Sequence, residues 1–213
     1  MNNKRIKNIG FIGLGVMGSS MSKNLLKNKS WKVFVKDLHY EKEKQLESFG
    51  ATIALDLEDL FNKSDLIITC LPGGNFVNDL YFGKNSLISA IKPNQYIVDM
   101  STSQPDLMVK LDKKINEQGS FFADAPIART RQAAEDGTLA IMVGSDFQTY
   151  KIILPILEYM GKDIMHCGKA GSGQLTKIMN NMILFETVVA LSEAATIAEK
   201  YGIKVENLFE NIS

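Results

Sequence analysis

Along most of this 213-residue chain, short apolar runs alternate with segments whose apolar residues recur at helical spacing. The runs fall at 9–12, 32–36, 66–70, 96–99, 121–125 and 139–143, the last followed by 164–166. Helices are predicted from residue 17, on the spacing of Met17, Met21 and Leu25, and then over 41–49, 57–62, 105–118 and 147–160. Pro105 sits near the first turn of its helix, behind Ser103 as a possible cap, where its missing N–H costs nothing. Strands alternating with helices predict βα units and a doubly wound, mostly parallel sheet. Ligands of such a sheet lie off the carboxyl ends of its strands, so the chemistry is expected in the loops after Ile12, Val35, Cys70, Asp99 and Ala125.

The pattern changes after Gly168-Lys169-Ala170-Gly171-Ser172-Gly173. Residues 174–201 contain no Gly or Pro and are rich in Leu, Ile, Met, Val and Ala. They predict one helix of about 42 Å at 1.5 Å per residue, longer than a small domain needs and suited to joining the first domain to a helical domain or a second subunit. Gly202 ends it and 205–212 begin one more. The expected division is 1–170 and 171–213. An apolar helix of this length also predicts a homo-oligomer, because a monomer would expose it.

Gly13-Leu14-Gly15-Val16-Met17-Gly18 follows the first apolar run and opens the first helix. Gly13 permits a tight turn, Gly15 lets a pyrophosphate approach the backbone, and Gly18 lets helix and strand pack closely. The helix's free N–H groups and dipole attract phosphate. The second run leads to Asp37, 19 residues beyond Gly18, where a carboxylate can accept the adenosine ribose hydroxyls. Lys36 could favour an extra phosphate, but Asp37 would repel it and Leu38 offers no cation, so the expected cofactor is NAD rather than NADP.

Lys+Arg and Asp+Glu number 24 each, which gives no electrostatic grip on nucleic acid or an anionic membrane. Small or singly placed substrates are expected. Cys70 and Cys167 lack the spacing of a disulfide framework or zinc site, and no metal is expected. Lys4, Arg5 and Lys7 precede a stretch broken by glycines, unlike a signal sequence. No run is read as approaching a membrane span, and a cytoplasmic location is expected.

Gln174, Lys177 and Asn181 follow one another at i, i+3 and i+7 on the long helix. Facing the interior, the stripe would bury an ammonium and lower its pKa toward the range useful for proton transfer, with Asn181 holding a substrate oxygen beside it. Facing water, it would be an ordinary amphipathic surface. Ser101-Thr102-Ser103 would either present hydroxyls to a nicotinamide or substrate, or merely cap a helix. Leu71-Pro72-Gly73-Gly74 is a turn with room for a cofactor. Arg129 has a planar fork suited to an anion and Thr130 adds a hydroxyl.

Together these motifs resemble the β-hydroxyacid dehydrogenase family, which includes 3-hydroxyisobutyrate dehydrogenase, tartronate semialdehyde reductase and sulfolactaldehyde reductase. The resemblance runs in order through the glycine turn, Asp99-Met100-Ser101-Thr102 with Pro105, Asp124-Ala125-Pro126 with Gly137-Thr138-Leu139, and Gly171-Ser172-Gly173-Gln174 leading to Lys177, Asn180 and Asn181. It implies a Rossmann-like domain followed by an all-helical one. It also implies hydride transfer between NAD(P) and a short 3-hydroxy acid or its semialdehyde, with Lys177 as acid/base, Asn181 orienting the substrate, and Leu71 and Thr102 touching the cofactor. Many family members carry Ser-Gly-Gly where this chain has Ala128, Arg129 and Thr130. Arg129 is therefore expected to grip a strongly anionic substrate such as 3-sulfolactaldehyde. Family members also continue through further helices, so the helical domain is expected to be incomplete, and NAD binding without turnover is the competing reading. An imine reductase on the same fold would demand a proton donor other than Lys177.

Overall fold

The computed structural model describes residues 6–210. Its sheet is built from β1 (Asn8–Ile12), β2 (Lys32–Lys36), β3 (Thr52–Ile53), β4 (Leu66–Thr69), β5 (Tyr96–Asp99), β6 (Phe121–Asp124), β7 (Ile127–Ala128), β8 (Leu139–Gly144) and β9 (Gly161–Gly168). The order is β3-β2-β1-β4-β5-β6-β8-β7, with β9 also paired to β8. The first six strands of this order run parallel, and β8 pairs antiparallel with β6 and β7. The direction of winding reverses between β1 and β4, where a crevice opens at the strand ends.

Side-chain alternation explains why these strands read as unbroken apolar runs. Val33, Val35, Leu66, Ile68, Val98 and Ala123 enter one core, whereas Phe34, Ile67, Ile97 and Phe122 enter the other. Both faces are covered, as a parallel sheet requires. On the second face α5 (Pro105–Glu117) contributes Met108, Leu111 and Ile115 at helical spacing.

Register then sets the site. Lys36 and Thr69 both lie opposite Ile12, Asp99 opposite Thr69, and Asp124 opposite Asp99, so the carboxyl ends of five strands form one row. The loops expected to carry chemistry leave from that row.

α4 (Gly74–Phe82) and α6 (Arg131–Asp136) lie outside the helices that the spacing predicts. Gln104, not Ser103, occupies the N-cap of α5, and no side chain bonds there. The helix expected over 174–201 is α8 (Ser172–Lys200), and α9 (Val205–Glu210) follows, the rest of its predicted span lying outside the described residues.

The chain divides into two compact units that part between Lys177 and Ile178, inside α8. In the first unit Gln174 is fully buried and Lys177 half-buried. In the second, Ile183, Phe185 and Val189 are each more than half exposed, at 63%, 64% and 56%. α8 also overturns the expectation that no segment approaches a membrane span. It has 29 residues and an 18-residue stretch of mean hydropathy 1.3, enough to cross a membrane by length and composition alone.

Candidate active site

Leu14 shows how the glycine turn is built. Its side chain is buried, and its N–H donates to Asp37 Oδ2 at 2.6 Å, so the residue after β2 fastens the turn after β1. Asp37 Oδ1 accepts the His39 N–H at 2.9 Å and lies 3.4 Å from Lys42 Nζ. Burial pushes the Asp37 carboxyl up, but the His39 and Leu14 N–H groups and the Lys42 ammonium outweigh it and hold the carboxyl below its usual value. Lys36 also lines this crevice, and its ammonium donates to Ala54 O at 3.2 Å and lies 3.3 Å from Glu43 Oε1.

Gly13 has φ +95°, and a Cβ there would lie 2.3 Å from the Cys70 carbonyl oxygen. A Cβ on Gly18 would lie 2.0 Å from the Gly13 carbonyl oxygen. Both positions therefore exclude larger residues. At Gly15 a Cβ would meet nothing within 4 Å. Gly15 is the N-cap of α1 (Val16–Leu25), and no side chain bonds to that helix end. An open backbone concavity at a helix N-terminus is what a dinucleotide pyrophosphate requires, so these residues fit the cofactor.

A cavity of about 600 Å³ lies over this turn. Gly13, Gly15, Val16, Met17 and Gly18 line it after β1, Asp37 after β2, and Leu71 and Pro72 after β4. Phe76 and Leu80 of the unforeseen α4 add apolar wall, and Lys42 adds a cation. The i, i+4 spacing of Phe76 and Leu80 was the available signal for α4. Cys70 also lines the cavity, where burial and the neighbouring Asp99 push its thiol up to about 12 and remove thiolate chemistry.

A second group of polar residues lies along the same strand ends. Asp99 is fully buried, and its Oδ1 accepts Thr69 Oγ1 at 2.6 Å and Ser101 Oγ at 2.7 Å. Ser101 Oγ in turn accepts the N–H of Leu71 at 2.9 Å. The Gln174 amide donates to Ser101 O at 2.7 Å and accepts the Ser103 N–H at 2.9 Å. Thr102, between them, is exposed and does not line the cavity.

Asp124 holds the start of α8, accepting Gly171 N–H at 2.6 Å and Gln174 N–H at 2.8 Å. Its carboxylate occupies a slot that Cβ atoms on Gly144 or Gly173 would invade. Burial pushes Asp124 up to about 6, against the lowering effect of those N–H groups. Neither Ser101 nor Asp124 was singled out individually as a site residue, since a serine or aspartate at a strand end carries no local sign of its partners.

One turn beyond Gln174, Lys177 is half-buried and has no hydrogen bond or ion pair among the described residues. Burial lowers its pKa. The stripe is thus neither wholly inward nor wholly solvated. Asn181 lies in the second unit, half-buried, its Oδ1 3.4 Å from Asn180 Nδ2.

Arg129 and Thr130 both have partners within the protein. The Arg129 guanidinium donates to Thr138 O at 2.7 Å and pairs with Asp163, so two of its nitrogens have protein partners. Its φ of +88° places a non-glycine residue in the left-handed region. Thr130 caps α6, its hydroxyl accepting the Ala133 N–H at 3.4 Å.

The 3-2-1-4-5-6 strand order, the glycine cradle and the acidic residue after β2 define an NAD(P)-binding oxidoreductase domain. Residues 8–168 match the family model of the NAD binding domain of 6-phosphogluconate dehydrogenase, and 171–213 match that for NAD-binding of NADP-dependent 3-hydroxyisobutyrate dehydrogenase. The chain belongs to the β-hydroxyacid dehydrogenase family. It is 38% identical to mitochondrial 3-hydroxyisobutyrate dehydrogenase of Drosophila melanogaster over 97% of this chain and 62% of that protein. It is 38% identical to 2-(hydroxymethyl)glutarate dehydrogenase of Eubacterium barkeri over 98% of this chain and 69% of that one. The solved Mycobacterium tuberculosis 3-hydroxyisobutyrate dehydrogenase with L-serine superimposes with a TM-score of 0.90 at 32% identity, covering 96% of this chain and 69% of that one. The chain thus spans about two thirds of the length of these relatives. The match over 171–213 to an NAD-binding domain includes the whole of α8.

Proposed function

We propose that this protein oxidises a short 3-hydroxy acid, or reduces the corresponding semialdehyde, with Lys177 as the proton donor and acceptor. The observation that carries the reading is the half-buried, unpaired Lys177 amine on a helix turn tied by hydrogen bonds to the strand ends beside the cofactor cradle. When bound, the nicotinamide cofactor supplies or accepts the hydride. Lys177 as ammonium donates to the developing alkoxide in reduction, and as neutral amine removes the hydroxyl proton in oxidation. Burial lowers the Lys177 pKa, which favours the neutral amine that oxidation needs.

The glycine turn and the α1 N-terminus would hold the pyrophosphate. Asp37 would accept the ribose hydroxyls and repel a 2′-phosphate, which supports NAD over NADP. Thr102 and Asn181 are assigned to orienting the reacting groups. The names of the two sequence relatives share one chemical core, a hydroxymethyl group on the carbon that bears a carboxylate. The proposed substrate class has that core, in 3-hydroxyisobutyrate and in the reduced form of tartronate semialdehyde; 3-sulfolactaldehyde, which bears a sulfonatomethyl group in place of the carboxylate, is the third compound to assay. With its guanidinium paired, Arg129 is not assigned to the substrate's anionic end. Arg129→Ala is expected to leave KM within threefold, and a rise above tenfold would return it to that role.

The exposed apolar side chains of α8 support self-association with a second copy of the chain. Light scattering showing a monomer would overturn that assignment. The function itself is tested by titrating NADH fluorescence and assaying turnover on the semialdehyde panel. Binding with turnover that disappears in Lys177→Met is the expected result; binding without any turnover in the parent protein overturns the reading.

A further inference from the structure

The cavity reaches Leu71, and the proposed acid/base stands on α8, so something must set the distance between them. The hydrogen bonds pass through one side chain. Leu71 N–H donates to Ser101 Oγ at 2.9 Å, and Ser101 O accepts from Gln174 Nε2 at 2.7 Å. The other end of the same amide accepts from Ser103 N–H at 2.9 Å, so Gln174 grips the peptide groups on both sides of Thr102. Its own backbone N–H is held by Asp124 Oδ2 at 2.8 Å. Gln174 is fully buried, and Lys177 follows it by three positions on the same helix.

We propose that Gln174 is a positioning residue, whose buried amide locks the Thr102 loop to the first turn of α8 and so fixes Lys177 in register with that loop. The proposal rests on the dehydrogenase reading for its catalytic consequence but not for its geometry. Amide chemistry is required, because one end meets a carbonyl and the other an N–H. Leucine supplies neither a donor nor an acceptor. An ionised glutamate supplies two acceptors and sets one against Ser101 O. A protonated glutamate restores one donor and one acceptor. The carboxyl groups nearest an acid at this position are Asp124, bonded to its backbone, and Asp99, bonded to Ser101; the cation on the same helix face is Lys177. All three are common to the parent protein, so comparison with it removes their own titrations.

The test uses Gln174→Leu and Gln174→Glu beside the parent protein, read by NMR hydrogen exchange at the Ser103 amide, the NMR titration of 13C-methylated Lys177, NADH affinity and kcat. For Gln174→Leu we expect Ser103 exchange to accelerate more than tenfold, the Lys177 titration to move toward that of an exposed lysine, and kcat to fall at least thirtyfold while the NADH Kd changes less than threefold. For Gln174→Glu the same losses at pH 8 should recover as pH falls toward 5.5, unlike the parent. Unchanged Ser103 exchange, an unchanged Lys177 titration, or a Gln174→Glu profile parallel to the parent's overturns the proposal. So does a fall in kcat that only tracks lost NADH binding. Should Gln174→Leu fail to fold, the pH recovery of Gln174→Glu decides. A parent protein that turns over no substrate refutes the dehydrogenase reading, and the Ser103 and Lys177 signals then still decide this one.

Discussion

The glycine turn after β1 and the Gln174 amide do comparable work by opposite means. The turn makes its cradle from six consecutive residues, and its demands are steric: a Cβ on Gly18 would lie 2.0 Å from a carbonyl oxygen only five residues back in sequence. Gln174 makes its clamp from partners 71 and 73 residues away, and its demands are those of donor and acceptor matching. The first kind of site tolerates no added volume. The second tolerates volume poorly but tolerates a wrong polar atom worse, because a buried group left unpaired costs about 1–3 kcal/mol.

This contrast is most severely tested at the turn itself. Gly18→Val should abolish NADH binding and lower stability by several kcal/mol, of the order seen for overpacking or more, measured by fluorescence titration and urea unfolding. Gly15→Ala should behave differently, since its methyl group enters open space. Tm should hold within about 2 °C, the shift expected for less than roughly 0.5 kcal/mol, while NADH affinity falls at least tenfold. Equal losses of stability in both variants would break the comparison.

Next in size is Lys177→Met, expected to lower kcat by at least a thousandfold with NADH affinity unchanged. Because burial lowers the Lys177 pKa, the neutral base becomes more abundant as pH rises through that lowered value. Oxidation should therefore speed up with pH and reduction slow down, in steady-state profiles of the two directions. A profile flat in both directions removes the lysine from proton transfer.

Asp124 gives a smaller effect on stability. Its folded-state pKa is raised from 3.8 to about 6, so the folded protein holds the proton more tightly than the unfolded chain does. The resulting stabilisation is complete below about pH 4 and is lost as pH rises through about 6. At roughly 1.4 kcal/mol per unit the span is up to roughly 3 kcal/mol. Asp124→Asn should flatten that component of the stability profile between pH 4 and 7, read by urea midpoints. An unaltered slope would show that Asp124 titrates normally. The smallest effect is expected at Asp37→Ala, about tenfold weaker NADH binding with NADPH binding improved, since Lys42 would remain at the rim without its partner.

The fold was legible where its causes are local. Alternating runs located the main strands because both faces of a parallel sheet are buried, and the glycine spacing located the turn because steric exclusion acts between near neighbours. α4 escaped notice because it starts at Gly73-Gly74, residues that read as a turn, although Phe76 and Leu80 carry helical spacing. Arg129 shows the opposite case. Its chemistry suited an anion, but Asp163 and the Thr138 carbonyl, 34 and 9 residues away, claim the guanidinium first.

What the chain's order of residues determined by itself is the doubly wound sheet, the phosphate cradle and the placing of Gln174 and Lys177 on one long helix. Tertiary structure alone decided that Gln174 is buried, that Asp124 holds the helix start, and that Arg129 is paired. Burial patterns and backbone sterics are written in neighbouring positions, whereas the partner of a buried hydrogen-bonding group is whatever the register of distant strands brings within 3 Å of it.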